Sequence, residues 1–165
     1  MTRRGLTVLL CVLGLAAAGA AQEPARPAPP LDLPAADGSA VSLASLRGKV
    51  VLVDVWASWC APCKAAFPEY DRLHKEYRER GFEVLAVNVD ERRADADRFL
   101  AGRTPAMTVV FDPAGVAPER LGVRGMPTSF LIDRRGQIRH VHEGFTTRDL
   151  ATYRRRIEAL LAEVP

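Results

Sequence analysis

Residues Val50–Trp56 read Val-Val-Leu-Val-Asp-Val-Trp, apolar at every position except Asp54. A strand with one face in water alternates apolar and polar residues. A run apolar on both faces belongs in the middle of a sheet covered on both sides, and such sheets are built from parallel strands. This stretch points the chain to a layered α/β architecture, and it puts the Asp54 carboxylate where water is scarce. The strand leads into Trp59-Cys60-Ala61-Pro62-Cys63. A segment follows in which Phe67, Tyr70, Leu73 and Tyr77 recur at helical spacing, and Gly81 ends it.

The rest of the chain alternates in the same way. Apolar residues at 31–33 and 41–43 flank Asp37-Gly38 and predict a small N-terminal hairpin, followed by a short turn at 45–47 ended by Gly48. Residues 82–89 predict a second buried strand ending at Asp90, and 93–100 a helix. A short strand at 108–111 is stopped by Asp112-Pro113, and 116–121 reads as a brief helix. Residues 128–132 and 138–142 flank Asp133-Arg134-Arg135-Gly136 as an antiparallel hairpin. Thr146 with Asp149 forms a capping box ahead of a final amphipathic helix carrying Leu150, Tyr153, Ile157, Leu160 and Leu161. Strands alternating with helices and closing on a hairpin and a helix predict a mixed sheet flanked by helices, with no repeat and no second domain.

The N-terminus reads as an address. Arg3 and Arg4 precede an apolar run at 6–15, and Ala18-Gly19-Ala20 offers a small-residue cleavage site after Ala20 or Ala21. Only 16 residues separate the start of that run from Ala21, short of the ~20 needed to span a bilayer. The expected organisation is therefore a signal peptide at 1–21, a tether at 22–30 with prolines at 24, 27, 29 and 30, and a globular domain at 31–165. The domain is expected in the periplasm or otherwise outside the cytoplasm, with no stable membrane insertion after cleavage. Losing Arg3 and Arg4 takes the 23 basic residues to 21 against 20 acidic ones, so the net charge falls from +3 to +1. That balance gives no electrostatic footprint for nucleic acid. At 48% hydrophobic and 26% charged, the 165 residues suit one ordinary globular domain and exclude disordered, collagen-like and multi-span classes.

Cys11, Cys60 and Cys63 are the three cysteines, far too few for a disulfide scaffold. Cys11 falls in the leader, so the mature chain keeps one C-x-x-C in a compartment where disulfides persist. Three-residue spacing at the start of a helix brings two sulfurs within bonding reach. The free N–H groups and partial positive charge there favour a thiolate at Cys60. Pro62 falls in the first turn, where its missing N–H costs nothing. Cys63, one turn in, is expected to be the more buried and able to resolve a mixed disulfide. A zinc site wants four ligands, and no second C-x-x-C or H-x-x-x-H completes a set, so no metal and no cofactor are expected. His140 and His142 share one face of a strand and read as solvated. His74 reads as a packing histidine, Trp56 as core, and Pro68 as a helix kink.

The segment Val53-Asp54-Val55-Trp56-Ala57-Ser58-Trp59-Cys60-Ala61-Pro62-Cys63-Lys64 resembles the active-site strand and helix of the thioredoxin superfamily, and Gly125-Met126-Pro127-Thr128 resembles its second signature. The leader, the N-terminal hairpin and extra βα material between Asp90 and Pro105 are similar to the secreted TlpA/ResA branch. The resemblance implies a thioredoxin-like fold, with Cys60 as nucleophile, Cys63 as resolving thiol and a cis Pro127 facing the sulfurs. It further implies that Trp59, Ala61, Pro62 and Met126 contact substrate, the Met126 backbone by strand addition. Asp54 matches the buried aspartate that accepts the resolving cysteine's proton; burial should raise its pKa. Members of the nearer branch often carry Glu three residues after the second cysteine, where this chain has Ala66. The implied activity is a monomeric dithiol reductase of protein disulfides, supplied with electrons by a membrane thiol-electron transporter. Apocytochrome c or copper-site assembly proteins are the implied substrates. An oxidase or isomerase of the same fold, and a metallochaperone holding Cu(I) between the thiolates, are the alternatives.

Overall fold

The apolar run is a strand along its whole length, and every one of its side chains is buried. The computed structural model describes residues 25–164. The signal peptide read at 1–21, Cys11 and the first residues of the tether lie outside the described residues. In chain order the strands are β1 (Arg26–Pro27), β2 (Asp32–Pro34), β3 (Ala40–Ser42), β4 (Val50–Trp56), β5 (Phe82–Asn88), β6 (Thr108–Phe111), β7 (Thr128–Ile132) and β8 (Gln137–Glu143). The helices are α1 (Ala61–Tyr77), α2 (Arg93–Leu100), α3 (Val116–Leu121) and α4 (Leu150–Ala162), with 3-10 turns at Leu43–Leu46, Arg78–Arg80 and Thr147–Asp149.

Six strands make one sheet in the order β1-β8-β7-β4-β5-β6, and β2 with β3 forms a separate hairpin. β4 runs parallel to β5, and β5 to β6, whereas β4–β7, β7–β8 and β1–β8 are antiparallel. In the β4–β7 ladder Leu52 stands opposite Leu131, Asp54 opposite Ser129 and Val55 opposite Thr128. Alternation along β4 then splits its side chains between two cores. Val50, Leu52 and Trp56 pack with Phe67, Tyr70 and Leu73 of α1 and Tyr153 and Ile157 of α4. Val51, Val53 and Val55 pack with Leu31, Leu33, Leu121 and Phe130 on the opposite face. Two covered faces are what a strand without a polar face requires.

The predicted hairpins and helices are present, with a few differences that have physical causes. α1 ends at Tyr77 and its last turn tightens to 3-10 before Gly81, whose φ of +89° closes the helix in the left-handed region. Of the extra βα material expected between Asp90 and Pro105, only helix α2 lies in that interval; the accompanying strand, β6, follows it from Thr108. The end of the proline-dense segment is extended and lies on the sheet edge, Arg26 opposite Ile138 and Pro27 opposite Gln137. The capping box of Thr146 and Asp149 is present, but it caps a 3-10 turn that leads into α4. His140 and His142 do not face open solvent. Their side of β8 is half-buried, because α4 folds back over it and sets Tyr153 edge-on to His142 at 5.2 Å between ring centres. Among the described residues, no helix is long and apolar enough to cross a membrane.

Candidate active site

The C-terminal end of β4 delivers the chain to its chemistry. Four residues, Ala57–Cys60 in sequence, join the strand to α1, and a carboxylate from the next strand fixes them. Asp90, just past β5, accepts the Ser58 N–H at 3.0 Å and the Ser58 hydroxyl at 3.0 Å, and is itself held by the Asn88 amide at 2.7 Å. Neither Asn88 nor Asp90 stood out in the sequence beyond marking a strand end. A polar pair closing an otherwise apolar buried strand is the signal that could have found them.

Cys60 occupies the N-cap of α1, with Ala61 and Pro62 opening the helix. Its sulfur is bonded to that of Cys63 at 2.03 Å, with the Cα atoms 5.2 Å apart. The Cys63 backbone N–H also donates to the Cys60 sulfur at 3.3 Å, so a free donor at the helix start is aimed at that atom. Burial separates the two cysteines as expected: Cys60 keeps 6% of its surface exposed and Cys63 none. Ala61 and Pro62 are exposed. Trp59, next to Cys60 in sequence, stands out into solvent, 68% exposed. Trp56 is core, its ring 4.8 Å from that of Phe67 and 5.1 Å from that of Phe99.

Met126–Pro127 is a cis peptide bond immediately before β7. Because Thr128 pairs with Val55, that bond lies at the same end of the sheet as the loop to Cys60. Pro127 is buried and Met126 half-buried.

Asp54 is 1% exposed, and neither carboxylate oxygen has a hydrogen-bond partner among the described residues. It lies on the α1/α4 face of β4, two residues from Leu52 and two from Trp56. Burial alone pushes its carboxyl up to about 8. On the same face, three hydroxyls form a buried chain. Tyr70 and Tyr153 are 2.7 Å apart at their oxygens, and Tyr153 is 2.6 Å from the Ser129 hydroxyl. Burial, with the charge of Asp54 behind it, drives the Tyr70 hydroxyl far above its ordinary value, and burial pushes Tyr153 up to about 12. Both phenols are therefore neutral donors at physiological pH. In the sequence the two tyrosines register only as members of apolar helix faces, and Ser129 as one position in a strand. His74 is buried, its Nδ1 3.6 Å from a Glu83 oxygen. No three His, Cys, Asp or Glu side chains among the described residues gather closely enough to hold a metal ion.

A family model described as Redoxin matches residues 21–159. The chain belongs to the Redoxin family. Among solved structures, this Redoxin matches a Chlorobium tepidum protein titled thiol:disulfide interchange protein DsbE at 42% identity and a TM-score of 0.82, over 86% of this chain and all of that one. The architecture is thus thioredoxin-like, with an added hairpin. Curated relatives named thiol-disulfide oxidoreductase ResA include that of Bacillus subtilis, 32% identical over 151 residues, covering 88% of this chain and 84% of that protein. The ResA of Halalkalibacterium halodurans is 32% identical over 69% of this chain, and that of Oceanobacillus iheyensis 35% identical over 68%. This Redoxin spans only 65% and 59% of those two proteins' lengths.

Proposed function

We infer that this Redoxin is a thiol-disulfide oxidoreductase that works outside the cytoplasm as a dithiol reductase of protein disulfides. The observation that carries the reading is the Cys60–Cys63 bond at the N-terminus of α1, with a backbone N–H aimed at the outer sulfur. In the reduced protein that N–H and the helix's partial positive charge stabilise Cys60 as an anion. The thiolate attacks a substrate disulfide, forming a mixed disulfide and releasing the substrate's other sulfur as a thiolate. The Cys63 thiol then loses its proton and attacks the Cys60 sulfur. This restores the Cys60–Cys63 bond and releases the substrate as a dithiol. Two electrons pass from the cysteine pair to the substrate.

Asp54 receives the Cys63 proton. A carboxyl whose pKa stands at about 8 is near the value of a thiol, so the proton moves between them with little driving force either way. Ala66 supplies no acid three residues after Cys63, and Asp54 is the buried carboxyl that β4 places on this face. Trp59, Ala61 and Pro62 form the rim that a substrate meets, and Pro127 opposes the sulfurs while the Met126 backbone pairs with an extended substrate segment. The leader read at 1–21 supports export. A reductase in an oxidising compartment needs continual re-reduction, so a membrane thiol-electron transporter is the donor. The resemblance to the TlpA/ResA branch favours proteins awaiting haem or copper as substrates.

A redox titration with an insulin-type disulfide reduction assay tests this. The potential is expected nearer the about −270 mV of thioredoxin than the about −120 mV of a strong oxidant. Cys60→Ser should abolish reduction, and Cys63→Ser should accumulate mixed disulfides. Full activity in Cys60→Ser discards the mechanism, and a strongly oxidising potential replaces the reductase with an oxidase.

A further inference from the structure

Counting protons on the buried hydroxyls leaves one unassigned. Ser129, Tyr153 and Tyr70 each carry one O–H, and two short contacts link them in a row. Each contact consumes one proton, so one of the three has no acceptor within the chain. All three side chains are buried. An unmet buried donor is expensive, and so is an unmet buried carboxylate oxygen. Asp54 offers two such oxygens on the same face. It is also the cross-strand partner of Ser129, and directly opposed residues have Cβ atoms only about 5 Å apart. The structure shows no bond between them, so the donation requires the two short side chains to turn toward each other.

We propose that Ser129, Tyr153 and Tyr70 are positioning residues for Asp54, and that their chain turns its surplus O–H proton onto the Asp54 carboxylate through Ser129 and so lowers that group's proton affinity. In this orientation Tyr70 donates to Tyr153, Tyr153 to Ser129 and Ser129 to Asp54. Each donation polarises the next, and no bond to hydrogen breaks. When Asp54 is protonated the demand disappears and the chain relaxes. The hydroxyls thus oppose the effect of burial and keep the carboxyl within reach of both protonation states. The titratable groups facing this site are few. α1 contributes Tyr70, its Cys63 being held in the disulfide, and α4 contributes Tyr153. β5 offers Ala86, the register partner of Asp54, and β7 offers Ser129. On β8, His142 meets the Tyr153 ring edge and lies 3.3 Å from Asp149 through Nε2. His74, farther along α1, faces Glu83.

The relevance to turnover rests on the function proposed for Asp54, but the tuning itself does not, so it is measured without substrate. In the oxidised full chain, infrared absorption of the protonated Asp54 carboxyl, assigned by its loss in Asp54→Asn, is followed against pH. Ser129→Ala should raise the midpoint by about one pH unit, a tenfold gain in proton affinity, on the scale of a hydrogen bond to a charged acceptor. Ser129→Thr keeps the hydroxyl and should stay within a few tenths of the wild type. Tyr153→Phe leaves the last donor in place but removes its support, and should give a smaller rise in the same direction. An unchanged or lowered midpoint in Ser129→Ala overturns the proposal, as does a Ser129→Thr midpoint as high as that of the alanine variant. Loss of exchange activity with the midpoints as expected would fault the proposed function and not the hydroxyl chain.

Discussion

Asp54 sets a measurable cost on the folded protein. A carboxyl at an ordinary 3.8 when exposed, pushed to about 8 when folded, is displaced by about four pH units, each about 1.4 kcal/mol. Because the folded value lies above the unfolded one, the folded state holds the proton over a range where the unfolded chain has released it. Stability contributed by the neutral acid is therefore complete below about pH 4 and is lost as pH rises toward 8. At pH 7 the loss is about 4 kcal/mol, and it levels off near 6 kcal/mol above pH 9. A donor turned toward the carboxylate closes this window from its upper end only. Asp54→Asn removes the titration but keeps a polar group of the same size in the same place. Urea unfolding of the oxidised protein, wild type against Asp54→Asn at half-unit steps from pH 4 to 9, gives the difference directly, since all other carboxylates cancel. The variant should gain about 1.4 kcal/mol per pH unit on the wild type between about 4 and 8, and nothing outside that range. A difference independent of pH would refute the argument. A wild type that gains on the variant as pH rises would show a carboxylate stabilised by a partner.

Asp90→Ala strands the Ser58 N–H and the Asn88 amide, and should cost about 2–3 kcal/mol in urea while making Cys60 alkylation in the reduced protein less selective over free thiol; an unaltered alkylation rate would mean the loop holds its shape without Asp90. Gly81→Ala should cost about 1–2 kcal/mol, because the backbone is left-handed there; a new Cβ would meet nothing closer than Arg134 at 3.8 Å, so a loss well above that range would point to packing instead. Burial lowers the pKa of His74 despite nearby Glu83 and Asp71, so its neutral form is the folded one. The stability this contributes is complete above about pH 6.5 and lost as pH falls through the folded value, and His74→Gln should flatten the decline in melting temperature below pH 6.5. A parallel decline in both proteins would assign acid sensitivity elsewhere.

The sequence was most legible where one residue type decides a local structure. Seven residues with no polar face could only be a covered strand, Pro62 and Cys63 could open a helix, and Gly81 could end one. Asp54 was legible for the same reason, as one charge in an apolar run. The groups that surround it were not. Tyr70 and Tyr153 sit at helical spacing, where the apolar ring explains the position completely and the hydroxyl leaves no trace in the pattern. Their oxygens meet only because α1 and α4 pack against the same sheet face, a contact between residues 83 apart in sequence. Ser129 carries information only once the register of β7 on β4 is known, because a slip of one residue would put it in the opposite core. Asn88 and Asp90 read as the end of a strand, and their grip on Ser58 depends on β5 lying beside β4. The half-burial of His140 and His142 likewise follows from where α4 returns.

Long-range contacts also make the two sulfurs unequal in access. The two cysteines are three residues apart at the start of one helix, and the motif already sets Cys63 one turn further in. The packing beneath them widens the difference: both sulfurs border the core formed with Trp56, Phe67 and Tyr70, but Cys63 is fully buried in it while Cys60 keeps 6% of its surface exposed at the N-cap. In the proposed exchange, a disulfide arriving from solvent meets the Cys60 sulfur, and the same packing withholds Cys63 until a mixed disulfide has brought a target to it. Withholding it from partners also withholds it from water, which would otherwise take its proton. The proposed mechanism then requires a buried acceptor on that face, the role it gives to Asp54 on the strand that made the covered sheet necessary.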